Sequence, residues 1–436
     1  MRIRDILEID FFILFAAIVL LIFGILFIYS SGITSTGTIV SNEYLRQIVW
    51  SCGGITLALA LALFDYKKLR ELSPYLYLGT LALLLYTCLF GHMVNGARAW
   101  LGFGAFGIQP SEFAKLTTVL FLARYLDDTK RSSGSFTRFA VSCLIVFVPM
   151  SLVLIQPDFG TSLVFIPLLI GMTLIAGISM RYVLFLGACI MLTAFLMALP
   201  IWQNYIMRKS VPILLVLTNP GLIAMAILVF GIIAAIAVFG YVKYKKKYFF
   251  WIAYSVAIIV FSIGASYMAR RVLKDYQIMR LIVFLDPNVD PRGAGWNIIQ
   301  SVTAIGSGGL TGKGFLQGTQ SHYRFLPEQS TDFIFSIFSE EAGFLGGLLI
   351  FALFLLICLR LLRLMKITAD AFGAYICAGL TSMYSFHFLI NVGMTMGIMP
   401  ITGIPLLFVS YGGSAVLSAM LGIGLALSIH VRRYNR

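Results

Sequence analysis

Long apolar runs, separated by short clusters of charge, dominate the chain. A helix needs about 20 apolar residues to cross the hydrocarbon layer, and the longest of these runs is long enough for two helices. Together with a shorter apolar stretch from Phe113 to Leu122, the pattern predicts an all-α polytopic membrane protein with about twelve transmembrane helices. The ten long apolar runs without any Asp, Glu, Lys or Arg are 11–42, 47–64, 72–97, 139–157, 159–180, 182–207, 210–242, 248–269, 342–359 and 371–431.

An even number of crossings places both termini on one side of the membrane. The first run is too long for the apolar part of a secretory signal and lacks a small-residue cleavage site, so we expect it to be retained. With the N-terminus inside, 20 of the 32 Lys and Arg residues are cytoplasmic, which obeys the positive-inside rule. We therefore expect a multi-pass protein of the cytoplasmic (inner) membrane with both termini in the cytoplasm.

Composition agrees with this topology. Hydrophobic residues make up 60% of the chain and charged residues 11%, which is more apolar surface than a soluble core of this size can hide. The net charge of +14 belongs to the membrane-facing loops, so we expect no nucleic-acid partner. All six cysteines lie in apolar runs, without a disulfide framework or metal-ligand spacing. The whole chain, 1–436, is interpreted as one polytopic membrane domain.

Basic residues are also abundant where the positive-inside rule gives no reason for them. Segment 271–331 is predicted to be a large extracytoplasmic loop, and its cations suggest an anionic ligand such as a phosphate or pyrophosphate. Contact with anionic lipid headgroups explains the same charges equally well. The seven cations in and directly before this loop are Arg270, Arg271, Lys274, Arg280, Arg292, Lys313 and Arg324.

A glycine-dense stretch, IGSGGLTGKGF from Ile305 to Phe315, lies inside this loop. It is not a nucleotide P-loop, because Ser307 stands where that motif needs Gly, and Gly314 where it needs Ser or Thr. Its glycines permit close backbone approach, and exposed amides with Lys313 could hold a diphosphate. A flexible turn between two short helices is the alternative.

Asp332 stands at the boundary between a polar turn and an apolar run in FLPEQSTDFIFSIFSEE. The simplest interpretation is an N-terminal cap of the next helix, where negative charge is favourable. Glu340 and Glu341 follow in the same run, and buried carboxylates usually face a partner or a polar cavity. With the cations nearby, these acids favour a polar interior in which Asp332 performs chemistry.

Two further motifs place charge at the predicted outer ends of helices. In QPSEFAK, Glu112 and Lys115 share one helix face, and a Lys115 side chain that points inward could meet Asp332, Glu340 or an anionic substrate. In QPDFGTS, Asp158 is interpreted first as a helix cap and second as support for the cavity. Arg98, in NGARAWLGFG, adds another outer cation.

The C-terminal stretch GIMPITGIPLLFVSYGGSA is rich in Gly and Pro at membrane depth. Irregular backbone is tolerated there only where it is buried in protein or lines a cavity. Tyr411 and Ser414 could donate to a sugar or phosphate, and helix packing through small residues explains them equally well. His387 and Asn391, one helical turn apart, predict internal hydrogen bonds rather than catalysis.

These ordered motifs resemble the SEDS family (shape, elongation, division and sporulation; RodA, FtsW and SpoVE). GTQS before FLPE, and GIP in the C-terminal motif, resemble the RodA branch of cell elongation more than the FtsW branch of division. The resemblance implies a peptidoglycan glycosyltransferase that polymerises lipid II, an undecaprenyl-diphosphate-linked disaccharide-peptide, on the outer face of the membrane. It also implies a class B penicillin-binding transpeptidase and other elongation-complex membrane proteins as partners.

The family's essential acid in the TDF motif falls on Asp332, and its essential lysine falls on Lys115 with Glu112 beside it. Asp332 suits a general base for the attacking sugar hydroxyl, and cations suit the departing diphosphate. A divalent cation (Mg²⁺ or Mn²⁺) is an open expectation, and no other cofactor is expected. The expected substrate-binding residues are Arg280, Lys313, Arg324, Arg98, Asp158, Glu340, Tyr411 and Ser414.

One segment departs from the family pattern. Members typically have ten spans, whereas segment 204–270 holds two extra apolar runs around the basic turn KYKKKY, which predicts an inserted transmembrane hairpin. Two competing functions fit many spans and buried acids: a lipid II flippase, or a scaffold that only activates the transpeptidase. A flippase needs charge along its whole path, whereas these acids cluster in the outer half.

Overall fold

A computed structural model describes residues 10–94, 97–102, 107–131, 134–207, 211–272 and 275–433. The basic residues Arg2, Arg4, Lys274 and Arg436 lie outside these ranges. The described chain is almost entirely helical, with one two-stranded antiparallel hairpin of β1 (His92–Val94) and β2 (Ala97–Trp100).

Two compact units divide the chain. The first consists of Met1–Ile178 with Gln300–Arg436, and the second of Ser179–Ile299. The first unit contains α1 (Phe11–Ser31), α2 (Glu43–Leu63), α3 (Tyr66–Phe90), α4 (Pro110–Asp128), α5 (Ser135–Ile155), α6 (Phe159–Leu163), α7 (Phe165–Ile175), α14 (Thr319–His322), α15 (Ile334–Ile367), α16 (Ala371–Thr395) and α17 (Gly413–Val431). The second contains α8 (Met180–Trp202), a π-helical turn (Gln203–Met207), a 3₁₀ turn (Pro212–Leu214), α9 (Leu215–Thr218), α10 (Pro220–Tyr244), α11 (Lys247–Val272), α12 (Asp275–Leu285) and a second 3₁₀ turn (Pro287–Val289), and α13 (Ala294–Ser307) continues from it into the first unit.

The predicted polytopic helical fold is confirmed. Within the described ranges, nine helices are long and apolar enough to cross a membrane: α1, α2, α3, α5, α8, α10, α11, α15 and α17. A shorter apolar helical segment, Phe159–Ile175, corresponds to the pair α6–α7, and α4 and α16 are similar in length to the nine. The count of twelve spans stays a prediction. The pair α10–α11 occupies the segment in which an inserted hairpin is predicted.

Aspartates begin several of these helices, because the first amides of a helix lack intrahelical acceptors. Asp10 accepts from the amides of Phe12 and Ile13, and Asp65 accepts from that of Lys67. Asp158 and Asp370 occupy the same position before α6 and α16. The acids that interrupt the apolar pattern are therefore largely explained as helix starts.

Helix α17 is the centre of the first unit. Of its apolar window, 78% is buried within the protein, whereas the corresponding value for α10 in the second unit is 11%. It packs most extensively on α2, and α15 packs on both α16 and α1. Helix α10 instead packs along α11, which leaves most of its apolar side chains outward, as expected for a helix that faces lipid.

Helix α15 is broken near its start. Gly343 has φ 68° and ψ −166°, a backbone conformation that is essentially restricted to glycine. The break separates a first segment, which carries Glu340 and Glu341, from the long apolar remainder. It also frees main-chain groups that a regular helix would pair internally.

Candidate functional site

The turn that carries Asp332 is built on one carbonyl group. Glu328 O accepts the amides of Thr331, Asp332 and Phe333 at 3.3, 3.1 and 3.3 Å. Helix α15 then begins at Ile334, with Phe333 in the N-cap position and without a side-chain cap bond there. Asp332 therefore lies one residue before the N-cap position, not in it. Its side chain is half-buried.

The same turn is held from the other side by its carbonyl groups. All three carbonyls of residues 330–332 accept hydrogen bonds from the C-terminal part of the chain. These bonds fix the main chain at Asp332 without using its carboxylate. Tyr411 N donates to Ser330 O (2.8 Å), Ser410 Oγ to Thr331 O (2.6 Å) and Asn391 Nδ2 to Asp332 O (3.0 Å).

Lys115 points into the helix bundle. Its ammonium lies 2.8 Å from Glu112 Oε1, and the two side chains are 1% and 2% exposed. The second contact of Lys115 Nζ is His387 Nε2 at 3.0 Å. Of the partners that the sequence suggests for Lys115, Glu112 is therefore the one it binds. Glu340 instead pairs with another cation.

His387 and Asn391 make the internal hydrogen bonds that the sequence predicts. Since His387 Nδ1 lies 3.1 Å from the carbonyl of Pro405, which can only accept, Nδ1 carries the proton and Nε2 accepts from Lys115. Asn391 Nδ2 donates to Ile404 O at 2.8 Å as well as to Asp332 O.

Glu340 and Glu341 bind the glycine-rich loop. Glu340 is fully buried, and its carboxylate accepts from Lys313 Nζ (2.7 Å) and from the amide of Thr319 (2.8 Å). Glu341 accepts from Ser30 Oγ (2.5 Å). Rather than lining an open cavity, the two carboxylates fasten the loop to α15 and to the end of α1.

The glycines of the loop pair with the broken helix. Lys313 N and Gly314 N donate to the carbonyls of Glu340 and Glu341, both at 3.0 Å. Farther along, the amides of Leu316 and Gln320 donate to the carboxylates of the same two residues. These four amides are occupied by protein acceptors, and binding of a diphosphate by the remaining amides of the stretch stays a prediction.

Asp158 performs the capping role favoured from sequence and a second role besides. It accepts from the amide of Thr161 (3.1 Å), in the first turn of α6, and from Nε2 of Gln109 (2.7 Å), the residue before α4. Burial raises the pKa of the Asp158 carboxyl, and its hydrogen bonds with Thr161 oppose that rise. Ser414 Oγ accepts from the amide of Gln109 (2.9 Å). Asp158 and Ser414 thus fix the entry to the helix that carries Lys115.

Comparison with known proteins identifies the family. The model of the FtsW, RodA and SpoVE family, described as cell cycle proteins, matches residues 11–211 and 200–435. The chain belongs to this family. It is 47% identical to peptidoglycan glycosyltransferase RodA of Treponema pallidum over 433 residues, covering 99% of this chain and 100% of that protein.

Two more distant family members agree. Peptidoglycan glycosyltransferase MrdB of Escherichia coli K12 is 31% identical over 429 residues, covering 98% of this chain and 95% of that protein. A solved structure on the structural coordination of polymerization and crosslinking by a peptidoglycan synthase complex has a TM-score of 0.66 and 26% identity. It covers 98% of this chain and 99% of that one.

The remaining substrate-binding residues predicted from the sequence lie on separate elements. Arg98 lies exposed on β2, and its amide donates to Gln156 O (3.2 Å), beside Asp158. Arg324 is exposed just after α14, with φ 58°. Arg280 belongs to α12 in the second unit. Roles for these cations and for Tyr411 in substrate binding stay predictions.

Sequence reasoning missed three uncharged residues of this arrangement. Gln47 is fully buried in α2, donates to Ser410 O (3.1 Å) and accepts from Gly412 N (3.3 Å), and so holds the segment that holds Asp332. Gln109 and Ser410 have comparable roles. A polar side chain inside an apolar run was the available signal, because burial of such a group requires a hydrogen-bond partner.

Metal binding has little support from the protein alone. Over the described parts of the chain, no group of three or more His, Cys, Asp or Glu side chains is placed to hold a metal ion. Glu340 is already neutralised by Lys313, and Glu112 by Lys115. Residues of this kind do not form an all-protein site. Mg²⁺ is, however, commonly held by one or two carboxylates together with substrate phosphates.

Proposed function

We propose that this chain is a peptidoglycan glycosyltransferase that polymerises lipid II into glycan strands during cell elongation. The observation that carries the proposal is the 47% identity to RodA across both whole chains. The local geometry agrees with it, because an acid at the end of the bundle is held rigidly by its main chain while its carboxylate stays half-buried.

Asp332 is the general base of the proposed reaction. A sugar hydroxyl of one lipid II molecule attacks the anomeric carbon of another, and the hydroxyl proton passes to the Asp332 carboxylate as the bond to the diphosphate breaks. A positioned base of this kind contributes about 10²- to 10⁴-fold in rate. Fixing three successive carbonyls around residue 332 supports such positioning.

Cations stabilise the departing diphosphate in this proposal. Arg280, Arg98 and Arg324 are candidates for direct contact, and Lys313 also qualifies if Glu340 shares it. Lys115 acts indirectly, through its ion pair with Glu112, because both side chains are buried. A divalent cation, held mainly by the phosphates of the substrate, would supply further positive charge.

The reaction is proposed to occur on the outer face of the cytoplasmic membrane, with both termini in the cytoplasm. A class B penicillin-binding transpeptidase is the proposed partner, together with other membrane proteins of the elongation complex. The similar solved structure describes polymerization and crosslinking within one synthase complex, which supports this pairing.

The test is polymerisation of purified lipid II by the reconstituted protein, with and without its transpeptidase. We expect Asp332→Asn to reduce the rate by about 10²-fold or more while it remains folded and partner-bound. Asp286→Asn is the matched control, because it makes the same change in an acid that caps a 3₁₀ turn in the second unit.

Two outcomes would reject the proposal. If wild type makes no glycan but moves lipid II across a vesicle membrane, the flippase alternative is correct. If neither activity is found and Asp332→Asn still stimulates the transpeptidase, the protein is a scaffold. Equal glycan from wild type and Asp332→Asn would keep the enzyme but remove Asp332 from its chemistry.

A further inference from the structure

Helix α16 carries two fully buried polar side chains on one face. His387 and Asn391 are four residues apart, hence adjacent on the helix surface, and both are 0% exposed. Burial of two such groups in a membrane helix is costly unless their hydrogen bonds are made. Their partners therefore indicate why they are there.

His387 connects α16 to the buried ion pair. It accepts from Lys115 through Nε2 and donates to Pro405 O through Nδ1. A protonated imidazole would place a second positive charge 3.0 Å from the ammonium, so this arrangement requires the neutral ring. The bond to His387 fixes the direction of the Lys115 side chain. Glu112 alone, one turn away on the same helix, does not fix that direction.

Asn391 connects α16 to the turn of the candidate base. Its amide group donates to Asp332 O (3.0 Å) and to Ile404 O (2.8 Å). Because Ile404 and Pro405 are consecutive, the two side chains of α16 also hold the same short irregular segment. That segment leads directly to Ser410 and Tyr411, which bind the other two carbonyls of the Asp332 turn.

We propose that His387 and Asn391 are positioning residues that set the placement of the Lys115 ammonium relative to the Asp332 turn. This inference rests on the proposed function for its catalytic consequence. Neither side chain needs to touch the substrate: each acts through a group that does chemistry or through the main chain beside it. A misplacement of about 1 Å at a reacting group costs on the order of 10²-fold in rate, so small shifts of either residue are consequential.

Two substitutions of His387 separate its two bonds. Gln reaches the Nε2 position and keeps an acceptor for Lys115, whereas Asn reaches only the Nδ1 position and keeps the donor to Pro405. We expect His387→Gln to retain lipid II polymerisation within about 3-fold, and His387→Asn to lose about 10- to 100-fold in kcat with little change in KM. Thr381→Val is the matched control on the same helix, since the Thr381 hydroxyl donates within its own helix to Cys377 O.

Asn391→Leu tests the second connection without relying on activity. Hydrogen exchange of the Thr331, Asp332 and Phe333 amides is measured in the reconstituted protein by mass spectrometry. We expect exchange in this turn to accelerate by about 10-fold or more, while exchange in α17 stays as in wild type. In Thr381→Val both regions should behave as in wild type.

The outcomes distinguish this inference from the proposed function. If wild type makes no glycan, the proposed function fails, and the exchange experiment alone decides whether Asn391 holds the turn. Equal kcat losses in His387→Gln and His387→Asn, or wild-type activity in both, would overturn the role of His387. Unchanged exchange at residues 331–333 in Asn391→Leu would overturn the role of Asn391.

Discussion

Variants of the buried ion pair of Glu112 and Lys115 can distinguish an effect on protein stability from an effect on catalysis. The two side chains lie 2.8 Å apart and are 2% and 1% exposed, so removal of either charge leaves the other buried without its partner. Breaking such a pair typically costs about 3–5 kcal/mol. We therefore expect Lys115→Met to lower the free energy of unfolding by about 3–5 kcal/mol.

The double variant Glu112→Gln with Lys115→Met is expected to recover most of that loss. Both charges are then absent, and a buried ion pair replaced by neutral groups is often close to neutral in stability. Unfolding free energies would be measured for the four members of this cycle in mixed micelles, by titration with a denaturing detergent. Polymerisation of lipid II would be measured on the same four preparations.

An exposed ion pair supplies the control. Arg70 is 44% exposed and lies 3.0 Å from Asp127 and 2.5 Å from Asp128, which are 22% and 45% exposed; such surface pairs contribute about 0–1 kcal/mol each. Arg70→Met should consequently cost clearly less than Lys115→Met. A cost below about 1 kcal/mol for Lys115→Met would refute the reasoning from burial. If the double variant regains activity together with stability, Lys115 serves the fold and not the reaction.

Two further predictions concern the break in α15 and the Asp158 turn. Gly343→Ala should destabilise by about 2 kcal/mol or more, because φ is 68° and a Cβ would overlap the Gly312 amide. Gly231→Ala in α10, with open space around it, should not destabilise, because alanine is the better helix former. Equal unfolding free energies for the two variants would contradict this reasoning. Because burial raises the pKa of Asp158, the folded state binds its proton more tightly than the unfolded state, so stability should fall as pH rises from about 4 through the raised pKa. Asp158→Asn should lack this pH-dependent loss of stability when unfolding free energies of the two proteins are compared across pH. Parallel curves of unfolding free energy against pH would contradict the prediction.

The helical architecture was predictable because its signal is local. Apolar runs of sufficient length must form helices in lipid, where every main-chain group needs an internal partner. Asp10, Asp65, Asp158 and Asp370 mark helix starts for the same local reason. The break at Gly343 was not visible, because glycine is tolerated within membrane helices and AGFLGG contains three of them.

The candidate site was predictable only in part. Motif resemblance brought Asp332 and Lys115 forward, and the Glu112 pairing followed from helical spacing. The partners of Glu340 and the neutral tautomer of His387 depend on contacts between segments distant in sequence. Pattern along one chain cannot supply these contacts, since a buried polar residue announces that it needs a partner but not which one.

The hydrogen bonds around α15 also imply an order of assembly. The bonds that fasten residues 313–320 to Glu340 and Glu341 span 20 to 27 residues, so this part can form as soon as α15 is synthesised. The bonds that fix the Asp332 turn to Asn391 and Ser410 span 59 and 79 residues. Chains generally fold from the N-terminus during synthesis, and the turn must therefore wait for nearly the last helix. A nascent or truncated chain without that helix lacks the fixed turn. The proposed base is therefore not held in position until synthesis is almost finished.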